Sequence, residues 1–295
     1  MSTVVAHGPL ISFMPMKFSK GLRQEFSNSK FSLSKSNPLI FRCCSNKDEK
    51  SQESQMGFSV LKKDVECDRG IIYSTMAFYV FSLHIPLSFG GLAIVATILH
   101  QEVIEPQTEA LALLGLEILE FIGFVLLLKR PGEPQYKLLD LFQVNELAAE
   151  RSWLLASLIG FLFLLFLLLV TSLIADQFLG TKEVNNPILQ ALLSSGSISV
   201  TACILVYCIV TPFLEEIVYR GYLLTSLSCT MKWQQAVLLS SLLFSASHFS
   251  AENFLQLFVI GCVLGCSYCW SGNLSSSVLV HSLYNAFILY ITYIS

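Results

Sequence analysis

Long apolar runs broken by short polar stretches make up most of this chain. Residues 71–99, 109–128 and 152–175 each hold about 20 or more mostly apolar residues, the length that crosses a hydrocarbon core. The third, SWLLASLIGFLFLLFLLLVTSLIA, carries no charge. The first contains Pro86 and the pair Gly90 and Gly91 as kink points, and the second carries Glu117 and Glu120. A fourth run, 188–211, stops at Pro212, and less regular runs follow at 213–228, 234–250, 253–270 and 274–294. The pattern predicts an all-α fold, a polytopic membrane helix bundle of about seven to eight helices. Pro212 reads as the start of a helix, since proline is tolerated in a first turn.

Composition agrees with that picture. Of 295 residues, 54% are hydrophobic and 13% charged, about half the charge of an ordinary soluble domain. The net charge of −3 gives no case for nucleic acid. The nine cysteines include one C-x-x-C, Cys266 and Cys269, and no second pair that would complete a metal site. Cys262, Cys266 and Cys269 fall on one helix face and read as small packing residues.

Residues 1–43 differ from the rest, with eight serines, scattered Lys and Arg, and one acid, Glu25. That composition reads as an organelle transit peptide of chloroplast type, cut near Cys43 or Cys44, with 44–69 as a polar linker. The alternative is a disordered cytosolic tail. Basic residues gather before the first span (Lys47, Lys50, Lys62, Lys63, Arg69) and at 129–151 (Lys129, Arg130, Lys137, Arg151). These segments are two spans apart, so both predict the same side, the stroma if the protein is plastidial. Residues 138–150, LLDLFQVNELAAE, read as an amphipathic helix on that surface, and 211–220 also counts to that face.

Ionisable residues inside spans are functional candidates. Glu215, Glu216 and Arg220 lie in TPFLEEIVYR; His248 ends FSASH; Glu252 follows; His281 and Asn285 lie in HSLYN. Glu216 and Arg220 are four apart and can pair on one helix face, which leaves Glu215 about 100° away without a local partner. Phe244 with His248, and His281 with Asn285, share the same spacing. A carboxylate with an imidazole can move a proton between water and a leaving amine, and a second imidazole with an amide can donate to an oxyanion. Each residue taken singly has a plainer reading: a buried histidine as interhelical glue, Glu216 with Arg220 as a structural ion pair, Glu117 and Glu120 on a polar seam or interface, His84 and His100 at the interface. No G-x-S-x-G or H-E-x-x-H motif is present.

In combination, EEIVYR, FSASH and HSLYN resemble the signature of the CAAX-protease and bacteriocin-processing (CPBP, or Abi) family. In that family, E-E-x-x-x-R, F-x-x-x-H and H-x-x-x-N or D occur in this order on successive membrane helices. Here Glu215, His248 and His281 lie about 33 residues apart. The resemblance covers 190–295; residues 70–189 match only as several further spans. It implies a glutamate-dependent intramembrane endopeptidase, similar to CAAX prenyl protease 2. Glu215 and His248 would activate water, His281 and Asn285 would stabilise the oxyanion, and Glu216, Arg220 and Phe244 would support them. No cofactor and no metal is expected. The expected partners are a membrane protein or peptide substrate and the bilayer, in a thylakoid or inner-envelope membrane with the site facing the stroma. Two other readings stay open: a catalytically silent scaffold that stabilises membrane proteins, and a transporter, for which the hydropathy shows no inverted repeat.

Overall fold

The structure is a computed structural model and describes residues 58–61, 68–129, 138–143, 150–179, 187–251 and 253–294. The segment expected to be a transit peptide (1–43), most of the expected linker and Glu252 lie outside the described residues. Among the described residues there are eight helices, α1 Arg69–Ile98, α2 Pro106–Leu128, α3 Trp153–Leu179, α4 Pro187–Ser194, α5 Ser197–Thr230, α6 Trp233–Ser247, α7 Phe254–Ser271 and α8 Ser275–Ile294. A 3₁₀ turn spans Leu138–Phe142. The fold is an all-helical polytopic bundle. α1, α2, α5, α7 and α8 are each long and apolar enough to cross a membrane, so the chain is a multi-pass membrane protein.

α5 is the hub. α2, α4, α6 and α8 pack along it, and α3 closes the far side of α7 and α8. The main core joins Tyr79 of α1, Phe124 of α2, Leu214 and Val218 of α5, and Phe244 of α6. A second core joins Leu164, Ile260 and Tyr284 from α3, α7 and α8. Outward faces carry Ile98, Leu126, Leu158, Phe166, Leu255 and Tyr290, all exposed, as lipid-facing positions require.

The expected break at Pro212 does not occur. α5 runs unbroken through it for 34 residues. The chain stops earlier, at Gly196, whose φ of 114° suits glycine and separates α4 from α5. α5 accommodates Pro212 by widening to a π-helix over Leu205–Val210, just before the proline. α1 repeats the device: Val80–His84 is π-helical and Pro86 follows. Proline lacks an N–H and crowds the preceding turn, and a π turn shifts the hydrogen-bond register and relieves that crowding.

The stretch expected to be a surface amphipathic helix is, over Leu138–Phe142, a 3₁₀ turn docked on the bundle. Leu141 is buried against the core, its carbonyl accepts from Leu274 N, and the Phe142 carbonyl accepts from Asn273 Nδ2. The α7–α8 connection below it turns at Gly272, a left-handed residue with φ 62°.

α6 and α7 approach closely at Gly261. A Cβ there would lie 2.9 Å from Ser241 Cβ and 3.1 Å from Ser241 Cα. The second contact is backbone and cannot rotate away. Gly261→Ala should therefore cost about 1–3 kcal/mol through overpacking, read as a lower melting temperature in detergent. An unchanged melt would show that α6 has room to shift.

Candidate active site

The middle of α5 presents Glu215 and Glu216 in consecutive positions, followed by a second π-helical segment, Ile217–Leu224, that contains Arg220. All three side chains are buried, Glu216 and Arg220 completely. A charge removed from water needs a partner. Arg220 Nη1 donates to Glu216 Oε1 at 2.8 Å, and Nη2 donates to the Gly261 carbonyl at 3.2 Å. The guanidinium also lies over the Phe244 ring, 4.5 Å from its centroid.

Glu216 Oε1 has a second donor, Nδ1 of His281 on α8, at 2.9 Å. One carboxylate oxygen therefore neutralises the arginine and orients the imidazole. This leaves Nε2 of His281 pointing at Glu215 Oε2, 3.6 Å away. His248, the residue that caps α6, is fixed the same way from its other nitrogen. Its Nδ1 lies 2.7 Å from the Phe244 carbonyl, an acceptor, so Nδ1 carries the proton. Nε2 then faces Glu215 Oε1, again at 3.6 Å. The Phe244 ring separates Arg220 from these groups, meeting His248 at 4.7 Å and His281 at 6.1 Å edge-on.

The structure thus brings Glu215, Glu216, Arg220, Phe244, His248 and His281 together from three helices. Glu215 Oε2, His248 Nε2 and His281 Nε2 are buried without a hydrogen-bond partner. At 3.6 Å the Glu215–histidine contacts are too long to be hydrogen bonds. The Nε2 atoms of His248 and His281 each face one oxygen of the Glu215 carboxylate, an arrangement suited to holding and polarising a small polar group beside it.

Asn285 is placed differently. Its Nδ2 donates to the Tyr207 carbonyl at 2.8 Å. In the π register ahead of Pro212, Thr211 N–H bonds to Val206 O. The next carbonyl, Tyr207, then faces Pro212, which has no N–H to give. Asn285 supplies the missing donor across from α8.

Reading the sequence missed a second polar cluster beside the first. His84, expected at the interface, is buried inside the bundle, and Glu120 faces a polar seam, buried as well. Glu120 Oε1 accepts from Tyr79 Oη at 2.6 Å and lies 2.9 Å from His84 Nδ1, while Oε2 accepts from Ser88 at 3.1 Å. Glu117, half-buried on the same helix, is with Glu120 an electrostatic neighbour of Glu215. The signal was present, since acids and a histidine inside two early spans call for partners. Their pairing across α1 and α2 is tertiary and has no local spacing to reveal it. Cys262 and Cys266 are half-buried and Cys269 buried, all free thiols. Among the described residues no group of three or more His, Cys, Asp or Glu side chains could hold a metal ion.

Residues 197–287 match the family model described as type II CAAX prenyl endopeptidase Rce1-like, a stretch that covers every residue of the Glu215 cluster. No curated protein and no solved structure matches the chain significantly.

Two substitutions separate the buried contacts. Arg220→Leu strands the Glu216 carboxylate and should cost roughly 3–5 kcal/mol, lowering protein level and melting temperature far more than Glu215→Gln. Asn285→Leu strands the Tyr207 carbonyl and should cost about 1–3 kcal/mol. Equal melting temperatures for Arg220→Leu and Glu215→Gln would show that the Glu216–Arg220 pair is not holding the bundle.

Proposed function

Because the chain belongs, through residues 197–287, to the CAAX-protease (CPBP, Rce1-like) family, we propose that it is an intramembrane endopeptidase in which Glu215 is the general base. The observation that carries this reading is the convergence of Glu215 with the Nε2 atoms of His248 and His281, each 3.6 Å away.

In this mechanism a water lies between Glu215 and His248 Nε2. Glu215 takes one proton as the water oxygen adds to the scissile carbonyl carbon. The carbonyl oxygen becomes an oxyanion. His281, held at Nδ1 by Glu216, donates to it from Nε2 when that nitrogen carries a proton. Asn285 joins as a donor through its second amide hydrogen, the first being used by Tyr207. The C–N bond then breaks, and Glu215 returns its proton to the leaving nitrogen, which balances the reaction. Glu216 and Arg220 hold the charge balance and His281 in place, and Phe244 packs the floor.

The substrate is a membrane protein or a peptide delivered from the bilayer. The serine-rich, acid-poor first 43 residues support a plastid membrane, with the site opening toward the stromal side where the basic segments lie. A fluorescent fusion of residues 1–70 that stays outside plastids would remove that address.

The test of the chemistry uses the purified protein in proteoliposomes with internally quenched peptides, a farnesylated CAAX peptide among them. Glu215→Gln should lower turnover by roughly 10²–10⁴-fold while leaving the melt nearly unchanged. Glu216→Gln should lose stability and turnover together. Equal cleavage by the wild type and Glu215→Gln would sink the assignment.

A further inference from the structure

The polar cluster of α1 and α2 lies outside the stretch 197–287, yet one of its members reaches into the site. His84 Nε2 lies 3.2 Å from the carbonyl of Ser247, the residue before His248. Ser247 is the last residue of α6, where carbonyls have no partner within the helix. Both ring nitrogens of His84 face acceptors, Glu120 Oε1 on one side and the Ser247 carbonyl on the other. A carbonyl can only accept, so Nε2 donates to Ser247 at the C-terminal end of α6, where the helix dipole favours a donor.

Glu120 is itself held by Tyr79 and Ser88, so the imidazole has little freedom to turn. Ser247 is gripped from the opposite side by α5, as Tyr219 Oη donates to Ser247 Oγ at 2.6 Å. Directly after His248 the chain reverses through Phe249, a non-glycine residue at φ 50°. The Phe249 ring meets Phe89 of α1 edge-on at 5.2 Å. The α6 end that carries His248 is thus clamped by α1 at two points.

We infer that Glu120 and His84 form a positioning dyad that sets the orientation of His248 by holding the Ser247 carbonyl. Its kinetic consequence rests on the peptidase reading above; its structural consequence does not. The helices before residue 197 then belong to the working unit, and His84 acts on the reaction only through His248.

The test uses the two amides that split the functions of His84. His84→Gln keeps a donor near the Nε2 position, toward Ser247. His84→Asn keeps one near the Nδ1 position, toward Glu120, and loses Ser247. Protein labelled with ¹⁵N-histidine is placed in lipid nanodiscs, and the His248 ring resonances are identified with His248→Ala. His84→Asn should shift or double those resonances, and His84→Gln should leave them native. With the quenched peptides, His84→Asn should lower kcat by up to roughly 10²-fold with KM little changed, as expected when a reacting group is misplaced by about 1 Å. Rescue by Gln, in resonance and in kcat, supports the dyad. A native His248 spectrum in His84→Asn, or a Gln variant no better than Asn, overturns it. If His84→Asn does not accumulate, Glu120→Gln takes its place, and a native His248 signal there overturns it equally. If no peptide is cut even by the wild type, the peptidase reading fails while the His248 spectrum still decides the dyad.

Discussion

A single carboxylate oxygen, Glu216 Oε1, organises the centre of this bundle. It accepts from Arg220 at 2.8 Å and from His281 at 2.9 Å, and neither Arg220 nor His281 has access to water. In a membrane interior an arginine without an anion is costly enough to be avoided, so the pairing is a condition for α5 and α8 to pack as they do. The same oxygen determines which nitrogen His281 turns toward Glu215. Neutralising a charge and aiming a ring are therefore one act here, and stability and site geometry cannot be varied independently.

Around that pair the fold repeats one solution to the difficulty of proline in a spanning helix. α1 and α5 each carry a π-helical segment just ahead of a proline, and each continues past it. In α5 the carbonyl that the proline leaves over is taken up by Asn285, the last residue of the HSLYN motif. The irregular backbone lies where polar groups must meet, which is where a uniform helix would have no free carbonyl to offer.

Much of this was readable from residue order. The spans follow from apolar length, and the three motifs mark Glu215, His248 and His281, because intramembrane charge is too costly to be incidental. The i, i+4 rule correctly joined Glu216 to Arg220, since that contact is local. The reading failed where a distant partner decides. Pro212 looked like a helix start because the π segment that accommodates it has no compositional mark. His84 looked interfacial, and the polar seam read for Glu120 had no partner assigned, because their partners, one another and the Ser247 carbonyl, are brought together only by the packing of α1, α2 and α6. The turn at Leu138–Phe142 has an amphipathic pattern, but Leu141 joins the main core and Phe142 stacks on Phe213 of α5 rather than facing lipid.

The unbroken course of α5 also fixes how far Glu215 lies from either end of that helix. Its 34 residues measure about 51 Å at 1.5 Å per residue, against a hydrocarbon thickness of about 30 Å. Glu215 falls close to its midpoint, about 27 Å from one end and about 22 Å from the other along the axis. Neither end of α5 is thus within about 20 Å of the carboxylate along the helix. A group that meets Glu215 therefore either passes several turns of α5 from one of its ends or enters sideways between the helices packed around it.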